Sequence, residues 1–321
     1  MKILVLGNMT DWCELVYGDF SEVSDFSFVN DNFVSKMNLV QKIAYKLVTQ
    51  NRIKILKKML FCNIVVCKRI IKELLKYNSV WFFDWNPLLL NKCLLVRIRR
   101  NGIKIGCIFT NILKESSFAY RGHKNYLDLI DYKISFDKKD SELNGFDHFY
   151  YSYSIHNLSK KYSHQTKEND VFFVGNAKGR LKKILNAYSY LRNRGLSCNF
   201  YINGVDDENL VPLPGVTYNK SMSYQEVLNE IQKCSSILEI MQSNASTSTI
   251  RLMESITFDK FFITDNTNLF SDNNILKNNI YLLDSIDFKA IKENCFDKNS
   301  NMANKNKISI RNIAIIIKNK E

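Results

Sequence analysis

Short apolar runs alternate with longer stretches of helical periodicity along the chain. Runs typical of buried strands lie at residues 2–6, 79–83, 103–109, 132–137 and 148–154, and again at 171–175, 198–204, 235–241, 260–266 and 280–285. Between them, apolar residues recur at helical spacing, and Ser223 with Glu226 has the spacing of a capping box. Buried strands that alternate with helices predict parallel sheets covered on both faces.

A charged segment, residues 158–170, interrupts this alternation. We predict an α/β protein of two Rossmann-like, doubly wound domains that face a central cleft. Residues 1–157 form the first domain, residues 158–170 the linker and residues 171–302 the second domain. A length of 321 residues suits two domains of ordinary size.

Composition narrows the class of protein. The apolar runs are too short to cross a bilayer, and the N-terminus lacks the long apolar core of a signal peptide. The 8 Cys include no CxxC pair and the 4 His show no HExxH spacing, so we expect reduced thiols and no metal site. These features predict a cytoplasmic protein.

The net charge of +13 is concentrated in one part of the chain. Residues 36–76 hold many Lys and Arg among apolar residues, with Glu73 as the one acid, and are predicted to be largely helical. This segment is either a solvated helix face or a basic amphipathic surface that rests on anionic lipid headgroups. No nucleic-acid-binding motif accompanies the charge, so we expect no nucleic-acid partner.

The stretch "ILEIMQSNASTSTIRLMESI" predicts a buried strand, a polar loop and a helix. Open α/β sheets bind ligands at the carboxyl ends of their strands, and the first amide groups of a helix attract anions. Ser246, Thr247 and Ser248 are placed at this helix start, and Thr247, Arg251 and Glu254 share one stripe of the helix. A nucleoside diphosphate offers matching groups: phosphate oxygens for the helix start and Arg251, and ribose hydroxyls for Glu254. The alternative is a surface ion pair between Arg251 and Glu254 behind an ordinary Ser/Thr cap.

A similar pattern occurs in "VFFVGNAKGR", where Gly175 ends a strand and Lys178 and Arg180 precede a helix. Cations are unfavourable at a helix start, so an anion is expected between them and the helix. The segment is neither a Walker loop nor a GxGxxG motif. The alternative is a charged surface turn.

Residues 171–266 resemble the donor-binding half of GT-B glycosyltransferases, above all those of bacterial polysaccharide (capsule and O-antigen) biosynthesis. The segment "ILEIMQSNASTSTIRLMESITFDKFFITDN" carries the resemblance, and "FFDWNP" and "LIDYKISFD" extend it weakly into the first domain. The resemblance implies a GT-B architecture in which residues 303–321 form a helix that crosses back to the first domain.

The resemblance also implies roles for individual residues. Lys178 or Arg180 would hold the donor diphosphate, and Glu254 would bind the ribose hydroxyls. Tyr218 and Tyr224 flank the loop that commonly holds the nucleobase in this fold, with packing as the alternative role.

The chain departs from the family pattern at one acid. The position eight residues before Glu254, where the EX7E pattern has its first Glu, is Ser246. Glu239 could supply that acid, or form a buried ion pair within its strand.

A sugar transfer needs charge neutralisation on the departing diphosphate and, if the configuration inverts, a base. Lys178, Arg180 and Arg251 would meet the first need, and no DxD motif ends a strand, so no metal or other cofactor is expected. Asp84, after the strand at 79–83, and His123 are the candidate bases. Asp84 could instead cap the helix that Pro87 opens.

The sequence therefore predicts a glycosyltransferase that moves a sugar from a nucleotide-sugar donor to a lipid-linked or oligosaccharide acceptor. It would act in bacterial surface polysaccharide synthesis, as a peripheral protein at the inner face of the inner membrane. A non-catalytic nucleotide- or glycan-binding protein of the same fold remains the alternative, because an acid is missing at Ser246.

Overall fold

The computed structural model describes residues 1–49, 60–113, 124–162, 166–242, 247–271 and 275–321, without the side chains of residues 60–63 and 124–125. The chain forms two compact units. The first comprises Met1–Tyr150 together with Ile310–Glu321, and the second comprises Tyr151–Ser309.

The first unit is built on a parallel sheet of six strands in the order β2-β1-β3-β4-β5-β6. The strands are β1 (Ile3–Leu6), β2 (Phe26–Val29), β3 (Ser79–Phe83), β4 (Lys104–Phe109), β5 (Tyr132–Ser135) and β6 (Asp147–His148). The α-helices before the second unit are α1 (Asp11–Tyr17), α2 (Leu39–Thr49), α3 (Leu60–Leu74), α4 (Lys92–Arg100) and α5 (Lys138–Asn144). Short 3-10 helices lie at Gly18–Glu22, Val34–Lys36, Pro87–Leu90 and Lys124–Leu129.

The central strands of this sheet are apolar because both of their faces are covered. Every residue of β1 and β3 is buried. Trp81 of β3 packs against Gly106 of β4, where an added Cβ atom would lie 2.2 Å from the indole ring. The glycine therefore makes room for a large buried side chain.

The predicted helix after Pro87 is divided in two. Asn86 caps the 3-10 helix, accepting from the Leu88 amide, and Asn91 caps α4, accepting from the Leu94 amide. The Asn91 side chain thus starts a new helix directly after the 3-10 helix.

The second unit has its own six-stranded parallel sheet in the order β12-β11-β10-β7-β8-β9. The helices are α6 (Ile155–Lys161), α7 (Leu181–Asn193), α8 (Tyr224–Gln232), α9 (Ile250–Thr257), α10 (Asn268–Ser271), α11 (Phe288–Glu293) and α12 (Lys298–Ile308). The strands are β7 (Asn169–Asn176), β8 (Cys198–Asn203), β9 (Val216–Tyr218), β10 (Cys234–Glu239), β11 (Phe261–Thr264) and β12 (Ile280–Leu282), and a 3-10 helix lies at Asp207–Asn209. The capping box predicted at Ser223 and Glu226 is confirmed.

The last helix, α13 (Ile310–Lys318), belongs to the first unit. Lys318 pairs with Asp25 at 3.0 Å, Lys320 pairs with Asp147 at 2.8 Å, and the Trp81 indole donates to Glu321 at 3.2 Å.

The predicted α/β class with two doubly wound, Rossmann-like parallel sheets is confirmed. The boundary between the units lies at Tyr150 and Tyr151, before the predicted linker of residues 158–170. Part of that segment forms α6 and β7. Within the described ranges, no helix combines the length and the apolar character that a membrane crossing requires.

Candidate functional site

The loops that follow β7 and β10 are bonded to each other. These strands are parallel neighbours, so their carboxyl ends lie side by side. The Arg180 guanidinium donates to the carbonyl oxygen of Ile240, after β10, and to that of Asn176, at the end of β7, at 3.2 and 3.3 Å. The structure therefore brings together the two strand ends at which a ligand was predicted.

The residues before α7 leave space for this guanidinium. A Cβ atom on Gly175 would lie 3.3 Å from the Arg180 Nη2 atom. Lys178 and Gly179 have left-handed φ angles of 41° and 76°, and the Lys178 side chain is exposed. The turn thus fixes Arg180 against backbone carbonyls while it presents Lys178 to solvent.

Two carboxylates lie close enough to the Arg180 guanidinium to act on its charge. Burial lowers the pKa of Arg180, and the nearby carboxylates of Asp265 and Glu239 oppose this effect. The guanidinium stays charged, since an Arg pKa remains far above neutrality.

Glu239 holds the beginning of α9 in place. Its Oε1 atom accepts from the Thr249 amide at 2.6 Å, and its Oε2 atom accepts from the Thr264 hydroxyl at 2.9 Å. Burial raises the pKa of this carboxyl, and these hydrogen bonds oppose the increase. Among the described residues Glu239 forms no salt bridge, and its two oxygens bind a backbone amide and a hydroxyl instead.

Helix α9 begins later than predicted. Thr249 is its cap, and the Thr249 hydroxyl accepts from the Arg251 amide at 3.3 Å. Thr247 and Ser248 therefore precede the helix, and Ser246 lies outside the described residues. Ser248 is buried and accepts from the Asn266 side chain at 3.3 Å.

Arg251 and Glu254 form an ion pair in the interior of the second unit. The Glu254 side chain is 0% exposed and that of Arg251 is 18% exposed. The Tyr224 hydroxyl donates to Glu254 at 2.9 Å and shares a second hydrogen bond with the Tyr153 hydroxyl. Burial raises the pKa of Glu254, although Arg251 opposes the increase.

Helices α6 and α12 both pack on α9. The polar stripe of α9 is therefore not open to solvent at Glu254, whose side chain is 0% exposed. The alternative of a surface ion pair is also wrong, because the pair is inside the unit.

The two predicted nucleobase residues lie in different surroundings. Tyr224 is part of the network around Glu254. The Tyr218 hydroxyl donates to the Val211 carbonyl at 2.9 Å, beside a groove lined by residues 210–218. Packing thus accounts for the position of Tyr224, while Tyr218 borders an open surface.

A second groove, of about 460 Å³, lies beside Ile240. Its walls include Lys183 and Tyr190 of α7, Asp265 after β11 and Asp284 after β12. Their sequence signal is an acid within two residues of the end of each of two neighbouring strands.

In the first unit, Asp84 is fully buried at the end of β3. Its carboxylate accepts from the Thr110 hydroxyl at 2.8 Å and from the Asn111 side chain at 3.3 Å. Burial raises the pKa of Asp84 to about 6, against the effect of these hydrogen bonds. Asp84 does not cap the helix that Pro87 opens, because Asn86 does so. Its predicted role as a base stays a prediction. His123 lies outside the described residues.

Comparisons with known proteins give matches in structure. No family model matches the chain, and no curated protein is similar in sequence. An alpha-glucosyltransferase in complex with UDP and a 13-mer DNA containing a central A:G mismatch has a TM-score of 0.55. It shares 11% identity over 98% of this chain and 95% of that chain. The alpha,alpha-trehalose 6-phosphate synthase from Burkholderia multivorans has a TM-score of 0.53 and 8% identity, over 99% of this chain and 97% of that chain.

The chain has the GT-B fold. The likeness to these glycosyltransferases is one of fold, since the shared identity is 11% and 8%.

Proposed function

We propose that the protein is a glycosyltransferase that uses a nucleotide-sugar donor. The observation that carries the proposal is the bond from Arg180 to the Ile240 carbonyl, which places a half-buried cation between two strand ends. The carboxyl ends of strands are where open α/β sheets bind ligands. The GT-B fold supports the reaction class, and the UDP bound to a protein of the same fold makes UDP the first nucleotide to test.

The donor diphosphate is proposed to bind beside Arg180 and Lys178, next to Gly175. Arg180 is oriented by backbone carbonyls, so little side-chain entropy is lost when an anion binds. Thr247 and Ser248, which directly precede the cap of α9, are proposed to contact the same diphosphate. The diphosphate contact of Ser246 stays a prediction from the sequence.

Arg251 and Glu254 are proposed to break their ion pair with each other when the donor binds, and to form bonds with the donor instead. Arg251 would turn to the diphosphate and Glu254 to the ribose, as the resemblance implies. The nucleobase is proposed to lie beside Tyr218 or Tyr224, as the resemblance implies.

Metal-independent transfer is part of the proposal. Lys178 and Arg180 supply positive charge where the leaving diphosphate would lie, which is the task that a divalent cation performs in other sites. Dialysis against a chelator should leave the rate of transfer unchanged. A rate that falls on dialysis and returns with Mg²⁺ or Mn²⁺ would contradict metal independence alone.

The acceptor is proposed to be a lipid-linked or oligosaccharide glycan of bacterial surface polysaccharide synthesis. The reaction would take place at the inner face of the inner membrane. The sequence resemblance and the basic segment at residues 36–76 support this part of the proposal.

Titration calorimetry with UDP, GDP, CMP and dTDP, followed by assays of nucleotide release from the matching nucleotide-sugar, tests the proposal. Binding of one nucleotide with acceptor-dependent release supports it. Binding without turnover on any glycan acceptor favours the non-catalytic alternative, and absence of binding overturns both.

A further inference from the structure

Helix α2 presents adjacent large apolar side chains to solvent. Leu39 is 74% exposed, Val40 61% and Ile43 53%. A single exposed apolar side chain is ordinary on a protein surface, but a contiguous group marks a contact surface. The outer face of α2, defined as Leu39, Val40, Ile43, Lys42 and Lys46, is therefore a candidate interaction surface.

The helix is fixed from its inner side. Ala44 and Tyr45 are buried, and the Tyr45 hydroxyl accepts from the Asn32 side chain at 3.0 Å. At its start, the Asn38 amide donates to Gln41 at 3.1 Å and the Gln41 amide donates to Asn38 at 2.9 Å. The exposed apolar residues therefore belong to a capped and anchored helix, in which they have no inward position to take.

The apolar residues form one stripe with lysines along its edge. At 100° per residue, Leu39, Val40 and Ile43 fall within about 100° of helix circumference. Lys42 and Lys46 lie on the adjoining arc, and both are exposed. This arrangement is typical of a helix that lies in the plane of a membrane interface.

No acid compensates this charge within the helix, since α2 contains neither Asp nor Glu. The Glu73 carboxylate lies nearby, but it pairs with Lys36, Arg69 and Lys76 at 3.3, 3.0 and 3.5 Å. Among the described residues, neither Lys42 nor Lys46 forms an ion pair. The surface thus carries net positive charge beside an apolar patch.

We propose that the outer face of α2 docks on an anionic lipid surface. Leu39, Val40 and Ile43 would enter the boundary between headgroups and acyl chains, while Lys42 and Lys46 would meet lipid phosphates. A second copy of the chain fits less well, because a two-fold contact would bring the lysines of both copies together. This inference deepens the membrane location proposed above. It concerns lipid binding alone, so it holds or fails separately from sugar transfer.

Vesicle flotation of the whole chain tests the proposal. The vesicles are phosphatidylcholine alone, or phosphatidylcholine mixed with phosphatidylglycerol. The protein should float with the mixed vesicles and remain unbound with the neutral ones. Lys42→Gln and Lys46→Gln should each lower binding about fivefold, from the attraction of one lysine to an anionic surface.

The triple variant Leu39→Ser, Val40→Ser, Ile43→Ser should bind at least about tenfold more weakly, since three apolar side chains leave the interface. Leu143→Ser is the matched apolar control, because Leu143 is 76% exposed on α5. Lys138→Gln with Lys139→Gln is the matched charge control on the same helix. Both controls should float like the unaltered protein.

Three results would overturn the proposal. The first is an unaltered protein that ignores anionic vesicles. The second is equal binding by the triple variant, shown by circular dichroism to be folded, and the Leu143→Ser control. The third is a change of oligomeric state in the triple variant without a change in flotation, which would assign the surface to a contact between copies.

Discussion

Arg251 and Glu254 are bonded to each other where the Glu254 carboxylate has no contact with solvent. Breaking a buried ion pair by removing one partner is costly, because the other charge is left unpaired in the interior. Loss of either partner alone should therefore destabilise the second unit, whatever ligand the pair meets.

Arg251→Ala should lower the free energy of unfolding by about 3 kcal/mol or more, because Glu254 would lose its cation. Urea denaturation measures the loss. The double variant Arg251→Met, Glu254→Gln should recover much of it, since neither side chain then carries a charge.

Lys233→Ala is the control for this prediction. Lys233 and Glu230 form an i,i+3 pair at 3.2 Å, with side chains 27% and 19% exposed. Its loss should cost less than about 1 kcal/mol. An Arg251→Ala variant that is no less stable than Lys233→Ala would show that the buried pair contributes nothing.

Arg180→Ala should weaken nucleotide binding about tenfold or more, because charge-assisted hydrogen bonds to a phosphate are strong. Arg180→Lys should restore part of the loss, as the charge returns without the fork of donors. Calorimetry with the nucleotide that binds best measures both. Lys182→Ala, an exposed neighbour at the start of α7, is the control, and equal affinities for Arg180→Ala and Lys182→Ala would remove Arg180 from the site.

Asp84→Asn should change how stability depends on pH. Burial raises the pKa of Asp84 from 3.8 to about 6, so the folded state keeps a proton that the unfolded state releases within that range. The carboxyl therefore costs stability as the pH rises through the range, by about 3 kcal/mol at most above it.

The melting temperature of Asp84→Asn minus that of the unaltered protein should therefore be larger at a pH above 6 than at a pH below 3.8. Asn keeps the oxygen that accepts from Thr110. Asp128→Asn, at an exposed position, should follow the unaltered protein at each pH. Parallel pH profiles for all three proteins would refute the raised pKa.

Gly106→Ala should destabilise the first unit by about 1 to 3 kcal/mol, because the new methyl group would overlap the Trp81 ring in a packed core. Thermal unfolding measures the change. A second substitution, Trp81→Leu, should make Gly106→Ala better tolerated than it is beside the tryptophan. A single variant as stable as the unaltered protein would contradict the contact.

The sequence predicted the buried strands well because their pattern is local. Strand β3 lies at the predicted residues 79–83, since every one of its side chains is buried. Strand β2 was missed because one of its four residues is buried and it lies at the edge of the sheet. The strand predicted at 148–154 is reduced to Asp147–His148 and an isolated bridge at Tyr153.

The surroundings of the site residues could not be read from local pattern. Glu254 accepts from the Tyr224 hydroxyl, which in turn bonds to Tyr153, and both tyrosines are distant from it in sequence. The polar partners of Asp84 come from the next strand of the sheet, at Thr110 and Asn111. A helical projection or a strand end shows what a side chain could face, but not which distant segment covers it.

The proximity of Arg180 and Ile240 was within reach of the sequence. Both follow apolar strands, and adjacent parallel strands end at one edge of their sheet. The bond between them needed the structure, because it depends on the left-handed turn at Lys178 and Gly179.

The first unit is assembled from two separate pieces of the chain. Its sheet is complete by residue 148, but Lys318, Lys320 and Glu321 supply contacts to Asp25, Asp147 and Trp81. On the ribosome these partners stay unmatched until the whole of the second unit has been translated. Cutting the chain at Ser309 would therefore disturb the unit that was synthesised first.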